Sequence, residues 1–130
     1  MKLCLKHKKG LVKKYQLDIL KDFILLLQKE KPLEGNLTIE FLEKRTKDMT
    51  TGQFSKNKSR IRVLFRDRML ADVLRTLSHE WAHCYDQQKI KIKDRKDIGG
   101  KSEDYANQVS GELTKKFIRK NTNLHNKIFD

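Results

Sequence analysis

Two cysteines are too few to staple a small domain. Cys4 and Cys84 are the only thiols in 130 residues, a usage that excludes a disulfide framework and fits a reduced setting. Long apolar runs are also missing. The longest, "FILLL" at 23–27, is far too short to cross a bilayer. The opening "MKLCLKHKKG" is charged throughout and lacks an apolar core and a small-residue cleavage site, so the expected location is cytoplasmic. A viral source would instead make the chain virion-associated. Internal repeats, low-complexity tracts and long linkers are absent. The expectation is one domain over 1–130, with a basic N-terminal segment 1–10 and a flexible tail 121–130.

Acid is scarce as well. Seventeen Asp and Glu face thirty Lys and Arg, a formal charge of +13. The bases concentrate in 1–16, 44–68 and 89–101. Such a surface attracts polyanions, of which nucleic acid, anionic lipid and acidic protein are the candidates. Aromatic residues are not interleaved with the bases as they are in stacking platforms.

The charged residues are interrupted by clear apolar blocks. "LVKKYQLDILKDFILLLQKE" (11–30) has the spacing of a core-facing helix, closed by Lys31 and the single proline, Pro32. "NLTIEFLE" (36–43) alternates Leu37, Ile39 and Phe41 with polar residues, the pattern of a half-buried strand. "MTTGQFS" (49–55) and "SRIRVLF" (59–65) read as a strand pair beside it, with Gly52 permitting a bulge or turn. From Arg68 to Gln88 the period becomes helical, with Leu70, Val73, Leu74, Leu77, Trp81 and Cys84 on one stripe. A basic connector leads to a last helix over 102–121, with Ser102 as its N-cap. The predicted class is α+β: an N-terminal helix, a small twisted sheet of about three strands, and two further helices.

The chemistry lies in "TLSHEWAHCYDQ" (76–87). His79 and His83 are about 40° apart on the helix and point away from the Leu77–Trp81 stripe. One turn apart, two imidazoles can hold one zinc ion. Glu80, offset to the side, can reach an attacking water without ligating the metal, as a general base must. A catalytic zinc usually takes a third protein ligand. Glu103, opening the last helix, is the best candidate and Asp104 the alternative. The competing role for Glu103 is simple stabilisation of the helix N-terminus. Asn107, one turn on, could accept a hydrogen bond from a ligand histidine and fix its ring. Asp86 reads as solvated or as a supporting group, and Cys84 as core.

"HEWAH" followed by "SEDYANQVSGEL" resembles the gluzincin branch of zinc metallopeptidases. "EDYAN" is similar to the Glu-x-x-Ala-Asn element of the ImmA/IrrE-type enzymes. The resemblance spans roughly 36–120. It implies a zincin-like fold, one Zn2+ held by His79, His83 and Glu103, Glu80 as general base and acid, and Asn107 orienting a ligand. It further implies an extended peptide or protein substrate paired with an edge strand, taken to be 49–55 or 59–65. Asp86 and Lys89 stand where metzincins carry a glycine and a third histidine, which excludes that branch. His125 lies in a setting unlike that of a SprT-type ligand, and Cys4 in one unlike that of peptide deformylase. For the oxyanion, Tyr105, Tyr85 and His125 are the candidate stabilisers.

Two other expectations follow. The zincin scaffold could serve a basic nucleic-acid-associated or assembly protein, with a virus or mobile element as one source. His125 or Asp130 could reach back to occupy the metal's open position, although a frayed terminus is the preferred reading.

Overall fold

The computed structural model describes residues 1–92 and 100–130. Strand β1 (Lys2–His7) leads through helix α1 (Lys14–Glu30) to β2 (Asn36–Leu42). Strands β3 (Gly52–Ser55) and β4 (Arg60–Leu64) precede α2 (Leu70–Tyr85), which runs into a π-helical turn at Asp86–Ile90. Helix α3 (Lys101–Lys120), a 3₁₀ turn (Thr122–Leu124) and the short α4 (His125–Phe129) complete the chain.

The four strands form one sheet in the order β1-β2-β4-β3. β1, β2 and β4 are parallel, and β3 is antiparallel to β4. The class is thus α+β as expected, but with four strands. The basic N-terminal segment, given no element in the sequence reading, holds a strand: Leu3 and Leu5 alternate with Lys2, Cys4 and Lys6 and pair with β2. The alternation there is masked by charge, because Lys2, Lys6 and His7 occupy the ends of the strand and Cys4 separates its two leucines.

The apolar side of the sheet carries Leu37, Ile39, Phe41, Ile61 and Val63, all buried. It packs on Leu20, Phe23 and Leu27 of α1 and on Leu74, Leu77 and Trp81 of α2. Trp81 is completely buried, and its indole N–H donates to the Lys31 carbonyl at 2.9 Å. That bond satisfies the ring's one polar atom and also anchors the turn that Pro32 forces. The Gln28 amide clamps the same turn by bonding both the N–H and the C=O of Leu33 at 3.0 Å.

Two contacts fix the direction of α2. The Arg68 guanidinium bonds the Leu64 carbonyl, the Asp72 carbonyl and Thr76 Oγ1, tying the end of β4 to the first turns of the helix. On the other side α2 meets α3 through small residues. Ser110 Oγ donates to the Arg75 carbonyl at 2.8 Å and lies 3.1 Å from Ser78 Oγ. Small side chains let the two helices approach closely enough to share a site.

The terminal residues correct a second expectation. Instead of fraying, 122–129 form two helical turns, and Ile128 is completely buried. Apolar burial holds the segment, and the sequence pattern of 121–130 is too short to display it. The connector expected over 89–101 lies largely outside the described residues. Among the described residues, no helix is long and apolar enough to cross a membrane.

Candidate metal centre

Helices α2 and α3 run side by side along the floor of a cleft of about 850 Å³, with β3 as one wall. His79 and His83 project from α2 and Glu103 from the first turn of α3. Their donor atoms converge. His79 Nε2 and His83 Nε2 are 3.1 Å apart, and they lie 3.1 and 2.8 Å from the two Glu103 carboxylate oxygens. Ligand atoms around a tetrahedral zinc with bonds of about 2.0–2.1 Å stand roughly 3.3 Å apart, so the triangle is nearly the right size for that ion.

The protonation pattern fits as well. Ser102 Oγ donates to Asp86 Oδ2 at 3.1 Å, which leaves its lone pair facing His83 Nδ1 at 3.3 Å. The proton of His83 is thereby drawn to Nδ1, and Nε2 is left as a lone pair aimed into the triangle. The Asn107 side chain lies beside the His79 ring in the same cleft and favours its charged form. Burial is the main reason the His79 pKa is lowered, helped by neighbouring His83 and opposed by Glu103. A neutral imidazole is the form that binds metal.

Glu80 lies on the β3 side. Burial, and then the Glu103 carboxylate, push its pKa up to about 7, while a hydrogen bond to the Phe54 backbone pulls the other way. The sheet register explains that bond. Leu64 N–H donates to the Thr51 carbonyl, so Thr51, Gln53 and Ser55 bond β4 whereas Gly52 and Phe54 turn their backbone outwards. Strand β3 is therefore the open edge beside the site. Of the two segments expected to supply that edge, 49–55 does so and 59–65 is internal.

Gly52 has an ordinary backbone conformation, not a turn. It is required because α2 approaches so closely: a Cβ there would stand 2.5 Å from Thr76 Cγ2 and 3.1 Å from Glu80 Cγ. Gly52→Ala is expected to cost about 1–3 kcal/mol by overpacking. Gly111→Ala, in the interior of α3 with nothing within 4 Å, should instead gain about 0.5–1 kcal/mol. Denaturant unfolding of both variants checks the pair. Equal effects would mean that β3 and α2 are not in tight contact.

Other residues singled out in the sequence lie elsewhere. Asp104 is exposed and outside the cleft. Tyr105 and Tyr85 do not line it; Lys31 Nζ stands over both rings, and burial raises the Tyr105 hydroxyl to about 12. His125 stacks on Phe129 at 4.6 Å, and Asp130 lines a separate pocket with Lys8 and Met69. Neither reaches the triangle, so the tail does not block the site. Cys84 is core, as expected, its thiol raised to about 11 by burial. Asp86 is 1% exposed, and it supports the site through Ser102. Ser102 is not the N-cap expected from the sequence: Gly100 caps α3, and Ser102 lies inside its first turn. Its place beside His83 was hidden in the sequence because serine before Glu-Asp is also the ordinary signal for a helix start. No protein-family profile, curated protein or solved structure matches this chain.

Proposed function

We propose that this protein is a zinc-dependent metallopeptidase of gluzincin type. The observation that carries the reading is the convergence of His79, His83 and Glu103 within 4.8 Å, with Glu80 beside them at the foot of a cleft bordered by an open strand edge. Held by those three residues, zinc would act as a Lewis acid that polarises the scissile carbonyl and makes water a nucleophile near neutral pH. Glu80 accepts the proton of the attacking water and returns it to the leaving amine. In the metal-free chain burial and the Glu103 carboxylate raise its pKa to about 7. Ser102 and Asn107 hold the two rings in the ligating tautomer. The Gly52 N–H and C=O and the Phe54 C=O offer an extended peptide main-chain hydrogen bonds, while the Phe54 N–H steadies Glu80.

The test is metal analysis of the purified chain together with digestion of an unfolded protein substrate. One zinc per chain, and cleavage that stops on chelation and returns with zinc, is the expected result. A folded, zinc-supplemented chain that binds no metal would overturn the reading.

A further inference from the structure

The sheet has a second open edge, on the side away from the metal. Among the described residues strand β1 pairs only with β2. Lys2 N–H donates to the Gly35 carbonyl, so the amides of Lys2, Cys4 and Lys6 face β2. In a parallel ladder the alternate residues, Leu3, Leu5 and His7, then direct both N–H and C=O outwards. Alongside this edge runs a groove of about 580 Å³ between β1 and α1, lined by Leu3, Leu5, Leu17, Ile24 and Leu25 with Lys21 among them. Leu25 is 69% exposed, well above any other large apolar side chain among the described residues. Free backbone groups and an uncovered apolar groove together are what an added strand needs, since the first bind its main chain and the second takes every other side chain.

The charges select the strand. Lys2 and Lys6 stand on the opposite face of β1 from Leu3 and Leu5, and Lys21 lies in the groove wall. Among the described residues none of the three has an ion-pair partner. A second copy of this chain would set its own Lys2 and Lys6 on the same face as these, and like charges across a strand pair destabilise it. We propose that the β1 edge docks an extended segment of another protein in which apolar and acidic residues alternate. Its apolar residues fill the groove beside Leu25, and its carboxylates lie against Lys2 and Lys6. This docking site is independent of the metal.

The probe is a blocked nonapeptide alternating valine and glutamate, compared with one alternating valine and lysine. Each is added to the full chain, with mass spectrometry verifying that the peptide stays intact. Binding and amide exchange are followed by NMR. The glutamate peptide should bind at least about tenfold more tightly than the lysine peptide and should slow exchange at Leu3, Leu5 and His7. Leu25→Lys, at an exposed position, should weaken binding about tenfold without altering the spectrum of the free protein. Lys6→Glu should narrow the preference for glutamate or reverse it. Failure of the glutamate peptide to bind, equal binding of both peptides, or protection only at Gly52 and Phe54 would overturn the proposal. So would a chain that sediments as a dimer through β1.

Discussion

On the proposed metallopeptidase reading, Glu80→Gln should bind zinc as the wild type does, lose hydrolysis by at least about a hundredfold, and yet make the metal-free protein more stable at pH 8. The first two effects come from removing the proton acceptor while leaving His79, His83 and Glu103 in place. The third follows from the raised pKa of Glu80, about 7 in the folded chain against an ordinary 4.5. Below pH 4.5 the carboxyl is protonated in both folded and unfolded states, so its titration costs the native state nothing. Between pH 4.5 and 7 the unfolded chain releases this proton more readily than the folded chain, and stability falls as pH rises. Above pH 7 the loss is complete. It amounts to about 2 kcal/mol once the partial exposure of the side chain is allowed for. Glutamine carries no charge and retains an oxygen for the Phe54 amide, so it escapes that loss. Denaturant unfolding of the chelated proteins at pH 4.5 and pH 8 measures it. The variant should equal the wild type at the lower pH and exceed it at the higher. The same difference at both would mean that the buried charge of Glu80 does not burden the fold. An unchanged hydrolysis rate would remove Glu80 from the mechanism.

Glu103→Ala is the second large effect. It removes both oxygens that face the two histidines, and zinc affinity should fall by more than the roughly 10–100-fold typical of losing a supporting group. Ser102→Ala, which only frees the His83 ring, should stay within that range. Asp104→Ala, on the exposed side of the same turn, should leave affinity unchanged. Competition against a chromophoric chelator ranks the three variants. A large loss in Asp104→Ala with none in Glu103→Ala would move the ligand by one position and require the start of α3 to rotate. Stability separates the ligand role from the simpler one. As an acid at the N-terminus of α3, Glu103 contributes only about 0.3–1 kcal/mol through the helix dipole, so the metal-free variant should unfold almost as the wild type does.

These effects rest on residues of differing legibility. His79 and His83 could be paired from the sequence because residues four apart always share a helix face. The stripe through Leu70, Leu74, Leu77 and Trp81 showed which face was buried, and that left the histidines on the other. Ser102 was equally visible as a residue but not as a partner of His83. Its signal coincided with that of an N-cap, and only the approach of α3 to α2 separates the two roles. Strand β1 was missed for a different reason: four lysines and a histidine among the first nine residues of the chain outweigh the two leucines that give the strand an apolar side. The terminal turn was missed because a single buried residue, Ile128, holds it.

By itself the sequence determined the local matters: where the three long helices run, which residues alternate in β2 and β4, and that two imidazoles and a carboxylate stand on one turn of α2. Each depends on chain periodicity, which acts over a few residues. Tertiary structure alone decided that Glu103 meets those imidazoles, that β3 and β1 are the edge strands of the sheet among the described residues, and that Gly52 lets α2 close on the sheet. Those facts depend on which distant segments pack together. Packing is settled by the summed burial of Trp81, Phe23, Phe41 and their neighbours, and no short stretch of sequence records that sum.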